Sequence, residues 1–577
     1  MTAVAGVQAW RTVDERTVQS LQADERAGVL GRWRSWRPSL SAETVLLLAS
    51  LYFTLVCNGP FWRALLAGHA AGETAASVGN GSYAIAVGVV LTVVQFVLLA
   101  VLANRWTLKP VLVLLVLVAA ASSHFSARYG VYMDPSMLRN AVATDVAEAS
   151  ELLSWALLVQ LAVVGLPPLL LLQRVRVRQR PIGRAMLIRL GTIVLAVLVG
   201  AGALGTVFKD FAGQMRRHKE VRYLVAPASA IYSLGRVLTK DAQAAHRPRT
   251  PVGVDAHLGA SWPQARRPAL FVIVVGETAR AADWGLNPGV SRNTTPELAT
   301  RDVINFPQVS SCGTNTEVSV PCLFSPQGRR NYDEDAIRSS ESLLHVLARA
   351  GLRVVWNDNQ SGCKGVCDGL ETVRPDPAAL PGLCNGERCL DEALVDRAQG
   401  LLQDTKGNLV LVLHQLGNHG PAYFKRYPAT FRQFTPACES EDLSACTREE
   451  IANAYDNALR YTDHVLASTI DWLERIATEY DTALLYVSDH GESLGENGLF
   501  LHGMPYAIAP DEQTQVPMLM WFSQAYAQRT GLNLACLRKR SQAPAAHDNV
   551  FHTVLGLLDV ETTVRDEALD LSANCRG

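Results

Sequence analysis

Apolar and polar positions divide this chain into two halves with different periods. Five apolar runs come first: Thr44–Trp62, Tyr83–Ala103, Pro110–Ser123, Leu152–Leu172 and Leu187–Phe208. A bilayer crossing takes about 20 such residues, and only the third run is short unless it borrows its flanks. Any one of them could be a buried core helix. Five in succession, joined by short polar loops, predict a five-span transmembrane helical domain over residues 41–208. From residue 270 the pattern changes to short continuous apolar runs alternating with helical stretches. Leu270–Val275, Arg353–Trp356, Leu409–Leu413 and Leu484–Val487 read as strands buried on both faces. They predict an α/β domain over residues 269–577, a mostly parallel sheet between helices.

The segment between, 209–268, has a mixed character. Basic residues alternate with Phe211, Tyr223, Leu224, Tyr232 and Leu234, as in an amphipathic helix lying on an anionic membrane; a plain interdomain linker is the alternative. Arg247 to Pro268, rich in Pro, Gly and Ala, reads as the loop into the α/β domain.

Charge orients the spans. The tail 1–40 carries Arg32, Arg34 and Arg37, the second turn carries Arg105 and Lys109, and Arg174, Arg176, Arg178, Arg180 and Arg184 follow the fourth run. Loop 63–82 has only Arg63, and 124–151 is acidic on balance. The basic loops belong in the cytoplasm. Five crossings from a cytoplasmic tail then put everything after residue 208 outside, which in a Gram-negative cell is the periplasm. Cysteine usage points the same way: of eleven, Cys57 lies in an apolar run and ten lie after residue 310. An even number confined to one region fits disulfides in an oxidising compartment. A net charge of -1 gives no reason to expect a nucleic-acid partner.

In parallel sheets ligands bind beyond the carboxyl ends of the strands. Here those ends deliver Glu277, His414 with His419, and Asp489 with His490. Carboxylate and imidazole ligands suit zinc, and a carboxylate-rich set also suits manganese or magnesium. Glu277 could equally favour a helix N-terminus, whereas Asp489-His490-Gly491-Glu492 is more specific. The stretch Ser310–Cys322 brackets Thr316 between two cysteines. It reads either as a disulfide-closed surface loop or as the seat of a nucleophile. In the membrane half, Asn140, Thr144 and Glu148 recur every four residues and are expected on one helix face. That face is either solvated or turned to a lipid headgroup.

Seven stretches, in order, resemble the lipid A phosphoethanolamine transferases, the membrane-bound branch of the alkaline phosphatase superfamily that includes the colistin-resistance enzymes. They are VVGETAR (274–280), NFPQVSSCGTNTEVSVPC (305–322), DNQSGCKGVCD (358–368), HQLGNHGPAYFKRY (414–427), NAYDNAL (453–459), YVSDHGESLGENGLFLHGMP (486–505) and VPMLMWF (516–522). The resemblance implies a sulfatase-like or alkaline-phosphatase-like domain. It implies Glu277, Thr316, Asp489 and His490 around one tight catalytic zinc, with Thr316 the nucleophile. It further implies that His419 and His502 hold the substrate phosphate or a second zinc, that Lys364 contacts substrate, and that Asn140, Thr144 and Glu148 touch the donor lipid. Gln360 stands where some colistin-resistance members carry Asn, a departure expected to affect contacts near Lys364 and to leave the zinc site untouched. His414 is expected to be a structural neighbour.

The cysteines fall into sequence-neighbour pairs, Cys312–Cys322, Cys363–Cys367, Cys384–Cys389 and Cys438–Cys446, with Cys536 and Cys575 remaining to each other. Cys363 and Cys367 could alternatively form a zinc knuckle. The implied reaction takes phosphoethanolamine from phosphatidylethanolamine onto Thr316 and then onto a phosphate of lipid A, in a monomeric, multi-pass inner-membrane protein. Two rivals stand beside it. One is a related metal-dependent phosphotransferase or sulfatase with another envelope acceptor, such as a glycan, glycerol phosphate polymer, or the heptose or Kdo of the lipopolysaccharide core. The Cys/Ser-x-Pro-x-Arg pattern usual in sulfatases is absent around Thr316. The other is a non-catalytic membrane scaffold that binds lipid A.

Overall fold

A computed structural model describes residues 37–70, 79–144, 146–245, 248–386, 388–403, 405 and 407–576. Arg32 and Arg34 of the tail lie outside them. The described residues within Met1–Cys57, Val78–Leu117 and Ala162–Phe208 form one compact unit, and those within Asn58–Ser77, Val118–Leu161 and Lys209–Gly577 form the other.

Among the described residues, four helices are long and apolar enough to cross a membrane, or five if a broken pair counts as one span. The four are Asn80–Leu102, Leu108–Tyr129, Trp155–Arg174 and Ile182–Arg217. In Ile182–Arg217, Leu187, Leu190, Leu195 and Leu198 are exposed, as residues are whose solvent is lipid. The third run is longer than its apolar stretch because the helix takes in Leu108 and Lys109 at one end and His124 to Tyr129 at the other. The first run, Thr44–Trp62, is not one continuous span. It breaks at Asn58, between a helix Ala42–Tyr52 prolonged to Cys57 and a second, Gly59–Ala70. Pro60 follows the break and cannot donate a helical hydrogen bond. The Asn58 amide instead exchanges two 2.8 Å hydrogen bonds with the backbone of Ala226.

The four-residue spacing of Asn140, Thr144 and Glu148 does not give one helix face. Helix α1, Pro135–Ala143, stops at Thr144, whose backbone is extended and whose hydroxyl donates to the Asn140 carbonyl at 2.8 Å. Helix α2, Val146–Glu151, starts afresh. A hydroxyl that bonds the carbonyl four residues back competes with helix continuation. The Glu148 side chain lies outside the described residues. Much of 209–245 is helical: the membrane helix runs on to Arg217, and helix α3, Ala228–Ala245, is fastened to the stretch before α1 by the Ser233 hydroxyl on the Met133 carbonyl (2.8 Å).

The larger unit is built on an eight-stranded sheet: β1 Ala269–Gly276, β2 Ile304–Ser310, β3 Arg353–Asp358, β4 Glu371–Val373, β5 Leu409–His414, β6 Asp481–Ser488, β7 Gln515–Phe522 and β8 Ala545–Ala546. Their order is β8-β2-β7-β6-β1-β5-β3-β4. Only β7 runs against the others. Every residue of β1, β5 and β6 is buried, as continuous apolar strands require when helices cover both faces. One face packs Phe271, Ile273 and Leu485 against Phe551 and Leu347, and the other packs Val272 and Leu484 against Tyr455, Leu466 and Leu473. The register aligns Ser488 with Gly276, so the residues after β1 and β6 leave the sheet side by side.

The covering helix α4, Arg448–Arg475, begins with a Thr447/Glu450 capping box. It carries His464 between Glu297 (2.9 Å) and Glu392 (3.1 Å). The hydrogen bond to Glu392 and then Glu297 hold its proton, lifting its pKa to about 9 although burial acts the other way. A folded value above the unfolded 6.5 means that this stabilisation is complete below pH 6.5 and is lost as pH rises through about 9. Thermal melts across that window are expected to show a smaller fall for His464→Gln than for the parent.

Candidate metal centre and nucleophile

The strand ends build the site. Beyond β1 stands Glu277; beyond β6 stand Asp489 and His490; all three are buried, and their ligand atoms lie within 4.8 Å of one another. Backbone and neighbours fix each group. Asp489 Oδ1 accepts from the backbone N–H of Thr278 (3.1 Å) and of His490 (2.7 Å). His490 Nδ1 donates to the Gly491 carbonyl at 2.9 Å, which turns Nε2 toward the carboxylates. Glu277 Oε1 accepts from the Thr278 hydroxyl at 2.6 Å.

Thr316 arrives from the other side. The chain leaves β2, makes a short loop, and enters helix α5, Thr316–Leu323, with Asn315 as N-cap. Its first residue therefore sits at the positive end of the helix dipole. The Thr316 hydroxyl is buried, 3.2 Å from Glu277 Oε2 and 3.4 Å from His490 Nε2. The Cys312–Cys322 disulfide ties the loop to the end of its own helix.

Charge in this cluster is unbalanced. Burial, and then the Glu277 charge, push Asp489 up to about 6. Burial alone would lower His490, but Asp489 and then Glu277 hold its proton and raise it to about 10. Glu277 lies below the usual carboxylate range, because the hydrogen bond and charge of His490 outweigh burial. Asp489 Oδ2 is buried without any donor, and an orphaned carboxylate oxygen is costly. A divalent cation fits these residues. It would give Oδ2 its partner and displace the His490 proton, with two carboxylates, one imidazole and the Thr316 oxygen as its donors.

His502 and His419 stand next to this group. The His502 ring is 4.3 Å from that of His490 and 5.7 Å from that of His419. Glu492, fully buried, accepts from His502 Nδ1 at 2.8 Å and from the Tyr423 hydroxyl at 2.6 Å, leaving His502 Nε2 toward the site. Burial and then His490 lower the His502 pKa, which favours its neutral form. The loop carrying His419 passes over Glu277, where Asn418 N–H donates to the Glu277 carbonyl at 3.0 Å. Gly417 has φ 52°, and a Cβ there would come within 2.6 Å of that carbonyl, so only glycine fits this approach.

One expectation is corrected by the geometry: Gln360 was expected to leave the metal site untouched, yet its amide, one residue after the Asp358-Asn359 turn, donates to Glu277 Oε2 at 3.3 Å. The Lys364 ammonium is buried, 2.6 Å from the Ser361 hydroxyl and 3.3 Å from Glu317. His414 points away from the cluster, with Nδ1 on Asp358 at 2.8 Å. Asn140 and Thr144, both half-buried, lie on α1 and its cap and not in the metal cluster.

The comparisons with known proteins agree on one family. The model described as Phosphoethanolamine transferase EptA/EptB matches residues 91–242, and the Sulfatase model matches 269–560. The phosphoethanolamine transferase EptA of Escherichia coli strain K12 is 37% identical over 542 residues, covering 94% of this chain and 98% of that protein. The chain belongs to the phosphoethanolamine transferase EptA/EptB family. Another relative, the phosphatidylethanolamine transferase Mcr-1 of E. coli, is 37% identical over 91% of this chain and 96% of its own length. The integral membrane lipooligosaccharide phosphoethanolamine transferase A of Neisseria meningitidis superposes with a TM-score of 0.84 at 36% identity, over 93% of this chain and 99% of that one. This EptA/EptB-family transferase is therefore a membrane protein with a sulfatase-like soluble domain.

The family member also holds its site together through residues that motif reading passed over. His547 Nδ1 accepts from the Cys312 N–H (3.1 Å) and Nε2 donates to the Ser488 carbonyl (3.0 Å), bridging the loop before Thr316 to the strand that delivers Asp489. Burial pushes its pKa down to about 4, so it stays neutral, as both bonds require. Five disulfides close: Cys312–Cys322, Cys363–Cys367, Cys384–Cys389, Cys438–Cys446 and Cys536–Cys575. Among the described residues Cys57 alone is unbridged.

Proposed function

We propose that this transferase moves phosphoethanolamine from phosphatidylethanolamine to a phosphate of lipid A through a covalent adduct on Thr316, at the periplasmic face of a bacterial inner membrane. The observation that carries the reading is the buried Thr316 hydroxyl set 3.2 Å from Glu277 and 3.4 Å from His490, inside a cluster that fits a divalent cation.

Glu277, Asp489, His490 and Thr316 would hold zinc, which as a Lewis acid would lower the pKa of the Thr316 hydroxyl as it does that of bound water, from 15.7 to about 7. Thr316 Oγ1 attacks phosphorus, forming the Oγ1–P bond while the bond from phosphorus to the diacylglycerol oxygen breaks. His419 gives the departing oxygen its proton; His502, neutral with its Nδ1 proton on Glu492, presents an accepting Nε2 instead. The first-turn N–H groups of α5, together with Lys364, face the negative phosphoryl oxygens; to do so Lys364 exchanges Glu317 for substrate. In the second half a lipid A phosphate oxygen attacks the same phosphorus and Thr316 leaves. Covalent capture divides one hard transfer into two easier ones. His419 and His502 have the spacing to hold the transferred phosphate or a second zinc. Donor and acceptor are both bilayer lipids, which accounts for the membrane helices.

An added ammonium beside a lipid A phosphate reduces the negative charge that attracts cationic peptides, so expression is expected to raise polymyxin and colistin resistance. Mass spectrometry of lipid A from cells with and without the gene tests the reading: a phosphoethanolamine-bearing species is expected only with it. Modification on Kdo or heptose instead would move the acceptor, and no modification with a full metal complement would remove the function.

A further inference from the structure

The loop that carries His419 is held by a buried charge relay that no motif announces. Glu151, the last residue of α2, is 3% exposed. One of its carboxylate oxygens is 2.6 Å from Arg426 Nη2; the other is 3.2 Å from Arg388 Nη1 and 3.6 Å from Lys425 Nζ. Arg426 is itself buried, and its Nε donates to the carbonyl of His419 at 2.6 Å. A carboxylate 275 positions earlier in sequence thus pairs with the guanidinium that grips the backbone of His419. Arg388 brings the Cys384–Cys389 hairpin to the same carboxylate, and Lys425 divides itself between Glu151 and Glu441.

Burying several charges costs more than their attraction returns unless geometry and hydrogen bonds are good, so such a cluster is poor evidence for a stabilising role. Its benefit has to be sought in what it positions. The guanidinium is planar and its donors are fixed relative to one another. With Nη2 on Glu151 and Nε on the His419 carbonyl, the two ends of the relay cannot move independently. Next in sequence to Glu151 comes the Trp155–Arg174 membrane helix. The clamp therefore ties the His419 loop to the residues that lead into a helix long and apolar enough to span a membrane.

We infer that Glu151 is a positioning residue for phosphoryl transfer: through Arg426 it sets His419 against the headgroup phosphate of the donor lipid. This rests on the function proposed above. It predicts that losing the clamp slows the chemical step and leaves donor binding and the metal alone, since misplacing a reacting group by about 1 Å can cost about a hundredfold.

The test uses the full chain, zinc-loaded in detergent, with phosphatidylethanolamine as donor and lipid A as acceptor. Glu151→Gln is expected to lose about tenfold or more in kcat, with donor KM changed by no more than about twofold. Its zinc content should stay parental, while amide hydrogen exchange in the peptide 414–427 becomes faster. Glu151→Asp restores the carboxylate and should recover most of the rate. Because Glu151→Gln removes a carboxylate from the buried Arg426 and can unfold, the double variant Glu151→Gln/Arg426→Gln is made as well. It is expected to melt close to the parent and yet keep the low kcat. A double variant that regains parental kcat, or a Glu151→Gln protein with parental rate and parental exchange, overturns the inference. A parent that transfers no phosphoethanolamine overturns the proposed function instead, and the exchange of 414–427 still decides the clamp.

Discussion

Thr316→Ala is expected to reduce phosphoethanolamine transfer by about a thousandfold or more, to the level of cells lacking the gene. Removing a covalent nucleophile leaves only the catalysis that binding and electrostatics supply. The hydroxyl is the one group of this side chain directed at the carboxylates and His490. Asn315 keeps its cap on α5 whichever residue follows, so the helix is expected to form normally. Thr316→Ser keeps the oxygen and should retain a measurable fraction of activity. The readout is the modified fraction of lipid A, with the amount of folded protein in the membrane as control. An alanine variant that still modifies lipid A would show that Thr316 is not the nucleophile.

The second large effect is expected from the metal. Extended chelation, followed by removal of the chelator, should abolish transfer, and stoichiometric zinc should restore it. Removing the cation leaves two buried carboxylates facing each other, one with an oxygen that has no donor. The apo domain should therefore also melt earlier, as any species that binds only the folded state stabilises it. Asp489→Asn tests the same point within the sequence: it removes one charge and the orphaned oxygen's role while changing almost no volume. Zinc content of the purified variant should fall well below one ion per chain, and activity by about a hundredfold or more. A variant with full zinc and full activity would place the metal elsewhere.

Much of this architecture was legible in the sequence because its cues are local. A strand buried on both faces must be continuously apolar, so β1, β5 and β6 announced themselves, and in a parallel sheet the polar residue after such a run has to emerge at one edge. The convergence of Glu277, Asp489 and His490 is legible for that reason; the cysteines around Thr316 left a plain surface loop open, and its place beside the cluster shows only in the fold. What escaped depends on contacts between distant segments. The break at Asn58 is fixed by the backbone of Ala226. The helix stop at Thr144 is a choice between a hydroxyl and a backbone amide for one carbonyl, which four-residue spacing does not report. His547 and Glu151 are unremarkable in sequence, and acquire meaning only when the fold lays Ser488 and Cys312 beside one and Arg426 beside the other. Gln360 was read as a matter for the Lys364 loop, because nothing in its neighbours indicates that its amide reaches Glu277.

The central claim is that Thr316 carries the phosphoethanolamine between its two lipids. Peptide mass spectrometry of the zinc-loaded protein, quenched after incubation with phosphatidylethanolamine and no acceptor, measures this directly. A phosphoethanolamine adduct on the peptide containing Thr316, absent in Thr316→Ala and discharged when lipid A is added, is the predicted result. Donor turnover with no adduct on that peptide, or an adduct on another residue that lipid A discharges, would contradict it.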